Sequence, residues 1–321
     1  MKVFCFPFRY QNKIIQINNE VLESLDCDVF PLKSVYKLNN RLDTKKIIVL
    51  NWIEDQPYLK SYGLVKSWIY FFYYIFTIIF CKITSEKIIW IKHNFNPHIK
   101  SSTAYRHLIT CTLMRFLNIK ETTLESYVGD AYIPHPLYLN DTELRGLAAK
   151  IEDSDKVKVA FFGHVKRYKG LHDALELWPK NISLQIYGEL ESASYKKELV
   201  SIIKRRNINV RIHDGFLTDV ELERLLLSTS HVFLPHEANT MISSGSFYHA
   251  ISYGCNILAT KSEFSENKSR KHDFVNIYDL DKLQLSNLEN TMLQRRYIIS
   301  ESLRCYSRSK LRNCWNAILK D

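Results

Sequence analysis

The sequence of 321 residues has no long polar or low-complexity tract and no repeat at solenoid spacing, which argues against a disordered chain or a repeat array. Its seven cysteines, Cys5, Cys27, Cys81, Cys111, Cys255, Cys305 and Cys314, are odd in number and contain no CxxC pair. That pattern argues against a disulfide framework and a zinc finger, and predicts reduced intracellular thiols. The phosphate loop GxxxxGK[ST] is missing, which argues against a P-loop ATPase. No DxD motif stands in a convincing loop and the cysteine spacing offers no metal site, so no metal is expected. The apolar run in the opening MKVFCFPFRYQNK is too short and broken for a signal peptide, so the chain is expected to stay in the cytoplasm.

What is present fits two α/β halves: a length beyond one small domain, with 46% hydrophobic and 24% charged residues. The formal charge of +10 suits nucleic acid, an anionic membrane surface or phosphorylated substrates. The basic residues are dispersed and carry no nucleic-acid-binding signature, so nucleic acid is not expected as a partner.

Residues 67–81 (SWIYFFYYIFTIIFC) are uncharged and bracketed by Lys66 and Lys82. As a helix they rise about 22 Å, short of a bilayer core of roughly 30 Å. They read as a core helix of the first half, as an interfacial helix with flanking lysines on anionic lipid, or as a true membrane span.

Short β-branched or aromatic runs alternate with helical spacing. Strands are predicted at 2–6, 47–52 and 87–92, with helices at 13–24, 67–81 and 103–117. After a polar stretch at 140–155, read as a linker, strands are predicted at 157–162, 183–187, 210–213, 231–234 and 256–259. Helices fall between them, and the tail 287–319 is largely helical. Alternation of this kind argues for parallel sheets covered on both faces. Two doubly wound domains imply a cleft, with ligands bound outside the carboxyl ends of the strands.

Two loops carry chemistry. Gly163-His164-Val165-Lys166-Arg167-Tyr168-Lys169-Gly170 follows a strand and opens a helix, offering glycines, backbone N–H groups and cations to a diphosphate. Asn239-Thr240-Met241-Ile242-Ser243-Ser244-Gly245-Ser246 puts small hydroxyl residues and a glycine at a helix start, which also suits an anion.

On these residues the second half resembles the donor domain of GT-B glycosyltransferases, specifically the bacterial capsule and O-antigen assembly enzymes of the group 1 type. FFGHVKRYKGL is similar to that family's G-x-x-x-x-x-K-G loop, with Lys169 where donor phosphate is met. LQIYGE resembles the strand and turn beside the nucleobase, HDGFLTDVELERLL the segment in which backbone around Phe216 faces the base, and HVFLPHEANTMISSGSFYHAISYGCNILAT the closing signature. In the first half, PFRYQNKIIQINNEVL is similar to an acceptor-side loop and helix. LNWIED and WIKHNFNPH are similar to H-W-x-E and W-x-x-H-N-x-x-P-H elements. Two departures stand out. Where many retaining members carry two glutamates, this chain has Met241 and His249, and His164 replaces an arginine.

The resemblance implies a GT-B architecture of two Rossmann-like domains facing across a cleft. Residues 1–145 are the acceptor-binding, membrane-facing domain and residues 156–290 the donor domain. Residues 291–321 form a helical segment packing back on the first. It implies transfer of a sugar from a nucleotide-sugar, with UDP expected as the commonest nucleotide, to a saccharide or lipid-linked saccharide acceptor. The setting would be the inner face of the cytoplasmic membrane.

Donor-binding candidates are Gly163, His164, Lys166, Arg167, Lys169, Gly188, Phe216, Glu237, Ser243, Ser244, Gly245 and His249. Acceptor-binding candidates are Arg9, Tyr10, Gln11 and Asn12. An acid or base on the sugar side is sought among Glu54, Asp55, His93 and His98, which follow first-half strands. Two alternatives share the donor loops: a nucleotide-sugar epimerase of the same fold, and a non-catalytic scaffold subunit.

Overall fold

The structure, a computed structural model, describes residues 1–321 apart from 9–11, 42, 57–62, 94–103, 154–155, 236–241 and 321. It divides into two compact units. The first comprises Met1–Pro136, Met241–Ser243 and Arg308–Asp321, and the second Leu137–Thr240 and Ser244–Ser307.

The first unit runs β1 (Lys2–Phe6), α1 (Lys13–Glu23), β2 (Asp28–Pro31), α2 (Leu38–Arg41), β3 (Ile47–Asn51), α3 (Leu64–Thr84), β4 (Lys87–Lys92), α4 (Ala104–Phe116) and β5 (Lys120–Thr123). Its five strands are parallel in the order β2-β1-β3-β4-β5. Strands β3 and β4 are almost wholly buried, as their apolar runs require when both sheet faces are covered. On one face Val3, Val49, Ile89 and Ile91 pack with Ile17 and Val21 of α1. The same cluster holds Leu311, Trp315 and Ile318 of α13 (Arg308–Lys320). The opposite face packs Ile48, Leu50 and Trp90 against Tyr74, Ile78 and Cys81 of α3.

The second unit runs α5 (Asp141–Lys150), β6 (Val159–Phe162), α6 (Leu171–Leu177), β7 (Leu184–Tyr187), α7 (Ala193–Arg206), β8 (Val210–His213), α8 (Asp219–Ser228), β9 (His231–Leu234), α9 (Gly245–Ser252), β10 (Asn256–Ala259), α10 (Glu263–Lys271), β11 (Val275–Ile277), α11 (Leu285–Thr291) and α12 (Arg295–Tyr306). Six parallel strands lie in the order β11-β10-β9-β6-β7-β8. The order reverses between β6 and β9, and that is the switch point at which such sheets bind ligands. The equivalent point in the first unit lies between β1 and β3.

Three readings change. Residues 140–155 are not a bare linker: they hold α5, whose Asn140 cap and Glu143 form a reciprocal capping box. The division therefore falls at Leu137, and α12 counts with the second unit. The apolar helix is 21 residues long, about 31 Å by helix rise, because it continues through Lys66 and Lys82. Only 33% of its apolar window, Val65–Thr84, is buried. It is therefore not simply a core helix: one side seals the sheet and the other is exposed.

Candidate functional site

In the second unit the loops after β6 and β7 zip together. Gly163 N–H donates to the Tyr187 carbonyl at 3.0 Å, and Val165 N–H to the Glu189 carbonyl at 2.9 Å. This brings Gly188 (φ +151°) onto Gly163. A Cβ at Gly188 would lie 2.0 Å from the Gly163 carbonyl oxygen, so only glycine fits. A short 3-10 turn, Arg167–Lys169, then ends on Gly170 at φ 72°, which starts α6.

That turn folds Lys169 inward until it is 8% exposed. Burial, with Lys166 second, lowers its pKa to about 8, so it is still protonated at neutral pH. A Cβ built on Gly163 would lie 3.5 Å from Lys169 Nζ and 3.6 Å from Ser246 Oγ. Ser246 stands in the first turn of α9, whose N-cap Ser244 accepts from Phe247 N–H. The first N–H groups of a helix have no intrahelical partner and carry positive potential. A buried ammonium, a hydroxyl and a helix N-terminus therefore converge beside Gly163, an arrangement suited to phosphate oxygens.

The other donor candidates divide. Lys166 is half-buried beside this group. Arg167 is committed to Glu198 through both terminal guanidinium nitrogens and lies over the Tyr195 ring at 4.8 Å. His164 sits 3.5 Å from Glu189 and meets the exposed Phe216 edge-on at 4.9 Å, a flat aromatic corner next to Gly188. His249 stacks on Tyr138 with centroids 4.1 Å apart. Ser243 groups with the first unit and donates to Glu125 at 2.8 Å. Gly245 opens α9. Glu237 and Met241 lie outside the described residues.

In the first unit, Glu54 and Asp55 follow β3, and His93 follows its paired neighbour β4. Glu54 is 2% exposed and accepts from Trp90 Nε1 at 3.0 Å. Burial, with Asp55 adding, pushes its pKa up to about 8. His93 is 5% exposed, with its pKa lowered to about 3 by burial and then by His135. Its ring stacks on Trp52 at 3.7 Å, and Trp52 adopts φ 51°, a costly conformation for a bulky residue and a mark of a specialised site. Asp55 lies 3.6 Å from His107 Nε2.

The Asn12 side chain caps α1, its amide oxygen accepting from Ile14 N–H at 2.9 Å. Arg9, Tyr10, Gln11 and His98 lie outside the described residues.

Sequence reasoning missed Ser246, Tyr138, Asn51 and Trp90 as site members. Ser246, Asn51 and Trp90 stand inside the quoted motifs without being singled out, but nothing local points to Tyr138. Among the described residues, His272, Glu301 and Cys305 are close enough to share an ion. They include none of the candidate site residues, and Arg304 already holds the Glu301 carboxylate.

No protein-family model matches the chain, and no curated protein matches it. Solved structures do. AviGT4, a glycosyltransferase involved in avilamycin A biosynthesis, aligns with TM-score 0.61 and 14% identity over 100% of this chain and 97% of that one. HepE of Anabaena in complex with UDP-glucose aligns with TM-score 0.59 and 12% identity over 100% and 99%. WaaG, a glycosyltransferase involved in lipopolysaccharide biosynthesis, gives TM-score 0.50 and 12% identity over 98% and 94%. At such identities the likeness concerns the fold: the chain has the two-domain GT-B architecture of these glycosyltransferases.

Proposed function

We propose that the protein is a glycosyltransferase that takes a sugar from a nucleoside diphosphate donor, UDP-linked by expectation, and passes it to a saccharide acceptor. The observation that carries this reading is the convergence of Lys169 Nζ, Ser246 Oγ and the α9 N-terminus beside Gly163. Departure of a nucleoside diphosphate needs its developing charge met by fixed cations and dipoles, and this group supplies both without a metal. The neutral, buried Glu54 and His93 suit a hydroxyl-rich ligand better than an anionic one.

The acceptor is proposed to be lipid-linked, a polyprenyl-diphosphate-borne repeat unit of capsule or O-antigen type, met at the cytoplasmic membrane surface. Support comes from α3 and α4. Val65, Ile69, Phe72, Phe76 and Ile83 of α3 are exposed on one stripe, Phe72 and Phe76 at 62% and 60%; Leu108 and Phe116 of α4 are exposed at 63% and 82%. Lys66 and Lys82 lie near the two ends of α3, as an anionic bilayer surface would select. The other side of α3 is sealed on the sheet, so the helix lies on a membrane rather than crossing it. Each phenylalanine buried in lipid would contribute roughly 1.5–3 kcal/mol.

A thermal-shift panel of UDP, GDP, CMP and dTDP species against wild type and Lys169→Ala tests the donor site. A rise in melting temperature with one diphosphate, lost in the variant, is expected. No rise with any nucleotide would sink the transferase reading and favour the scaffold alternative. Co-sedimentation with anionic vesicles tests the membrane part. Equal binding by wild type and a Phe72→Ser/Phe76→Ser variant would remove it.

A further inference from the structure

Asn51 ends β3, is 6% exposed, and makes two hydrogen bonds that leave its amide one orientation. Its Nδ2 lies 3.3 Å from the Phe6 carbonyl. A carbonyl oxygen only accepts, so the atom facing it must be the NH2 group. The amide oxygen is thereby turned to His93 Nε2, 2.9 Å away. An amide oxygen also only accepts, so His93 Nε2 must carry a proton. The ring is buried and uncharged at neutral pH, and a neutral imidazole has one proton. Its lone pair is therefore on Nδ1.

We infer that Asn51 is a positioning residue that sets the tautomer of His93, leaving Nδ1 as a fixed hydrogen-bond acceptor for a sugar hydroxyl. The chain runs from the Phe6 carbonyl through the Asn51 amide to the imidazole, while Trp52 holds the ring plane by stacking. Asn51 belongs to the buried end of a central strand, so the orientation is built into the sheet rather than into a loop. Without Asn51 either ring nitrogen is free to hold the proton, and a hydroxyl meeting protonated Nδ1 finds a donor where it needs an acceptor. The role in transfer rests on the function proposed above, but the tautomer itself does not.

The experiment is nitrogen-15 NMR of the histidine side chains in the full-length protein, with His93 assigned by loss of its signals in His93→Gln. Wild type should show His93 with a pyrrole-type Nε2 and a pyridine-type Nδ1 at neutral pH. A proton on Nδ1, or on both nitrogens, would overturn the inference with no variant needed. Asn51→Leu should shift the signals toward the other tautomer, whereas Asn51→Asp, which keeps an acceptor oxygen, should retain protonated Nε2. An unchanged His93 tautomer in folded Asn51→Leu would also count against it. With a donor and acceptor in hand, Asn51→Leu should lower kcat by roughly 10- to 100-fold while the UDP-induced thermal shift stays as in wild type. If no nucleotide is turned over, the proposed function fails while the NMR result still decides the tautomer.

Discussion

The two units use the same sheet logic and treat charge in opposite ways. Each is a parallel sheet with a switch point, and in each the candidate groups follow the strands. In the first unit, burial removes charge: Glu54 is pushed up to about 8 and His93 down to about 3, so both are neutral at pH 7. In the second, Lys169 is as deeply buried, but its pKa falls only to about 8 and its charge survives. Desolvation disfavours the charged form in every case. What differs is the starting point, since a lysine begins far enough above neutrality to absorb the cost. Buried carboxyl and imidazole groups thus become neutral hydrogen-bonding partners, suited to hydroxyls, and a buried lysine remains an anion receptor.

The comparison can be sharpened from its most severe test downward. Gly188→Ala should cost about 2–3 kcal/mol through backbone strain and overpacking, read as lower denaturant midpoint and loss of nucleotide binding. If it left the protein unchanged, the zipped loops after β6 and β7 would not build the anion site.

Lys169→Ala should cost about 1.5–3 kcal/mol of diphosphate binding, the loss of a charge-assisted hydrogen bond, measured by isothermal titration. In wild type the affinity should fall as pH rises through about 8, where the free protein's lysine loses its proton. Affinity that is flat from pH 7 to 9 would assign the anion to other groups.

Glu54→Gln addresses the first unit. A carboxyl whose folded pKa lies above its unfolded value favours the folded state when protonated. Wild-type stability from this group is therefore full below the unfolded value of 4.5 and is lost as pH rises toward about 8. The variant should flatten that slope and gain on the order of 1–2 kcal/mol at pH 8, seen as a raised melting temperature. His93 contributes with the opposite sign: its share is present above 6.5 and lost as pH falls toward about 3.

The smallest effect expected is from Phe216→Ala, which removes an exposed aromatic edge beside His164 and should weaken nucleotide binding by about 0.5–1 kcal/mol.

Most of this architecture could be read before the fold was known, and the exceptions have causes. Strand β9 is a short apolar run and β8 alternates apolar and polar residues, and both are bounded by turn residues, so their limits were readable. Strand β2 (DVFP) and strand β5 (KETT) carry too little apolar pattern to announce themselves; neighbouring strands hold them. Helix α5 is too polar to show an apolar stripe, although Asn140 and Glu143 spell a capping box. Helix α3 is longer than its uncharged run because lysine stems such as those of Lys66 and Lys82 can lie along an apolar helix with their heads in water. Lys169 and Gly188 were legible through the resemblance of their loops to those of GT-B donor domains. The Tyr138 stack on His249 and the Trp90 bond to Glu54 join residues distant in sequence, and only the fold pairs them.

The burial of the thiols has a practical consequence. Cys5, Cys27, Cys81, Cys111 and Cys255 are buried, and burial pushes each thiol pKa up, which suppresses the reactive thiolate. Cys305 and Cys314 are the two half-buried ones, the first in the second unit and the second in the first; burial raises the Cys314 pKa too, so access rather than acidity sets this pair apart. Brief maleimide treatment should therefore attach one reporter dye to each unit of the unmodified sequence, allowing donor binding to be followed by the response of either half.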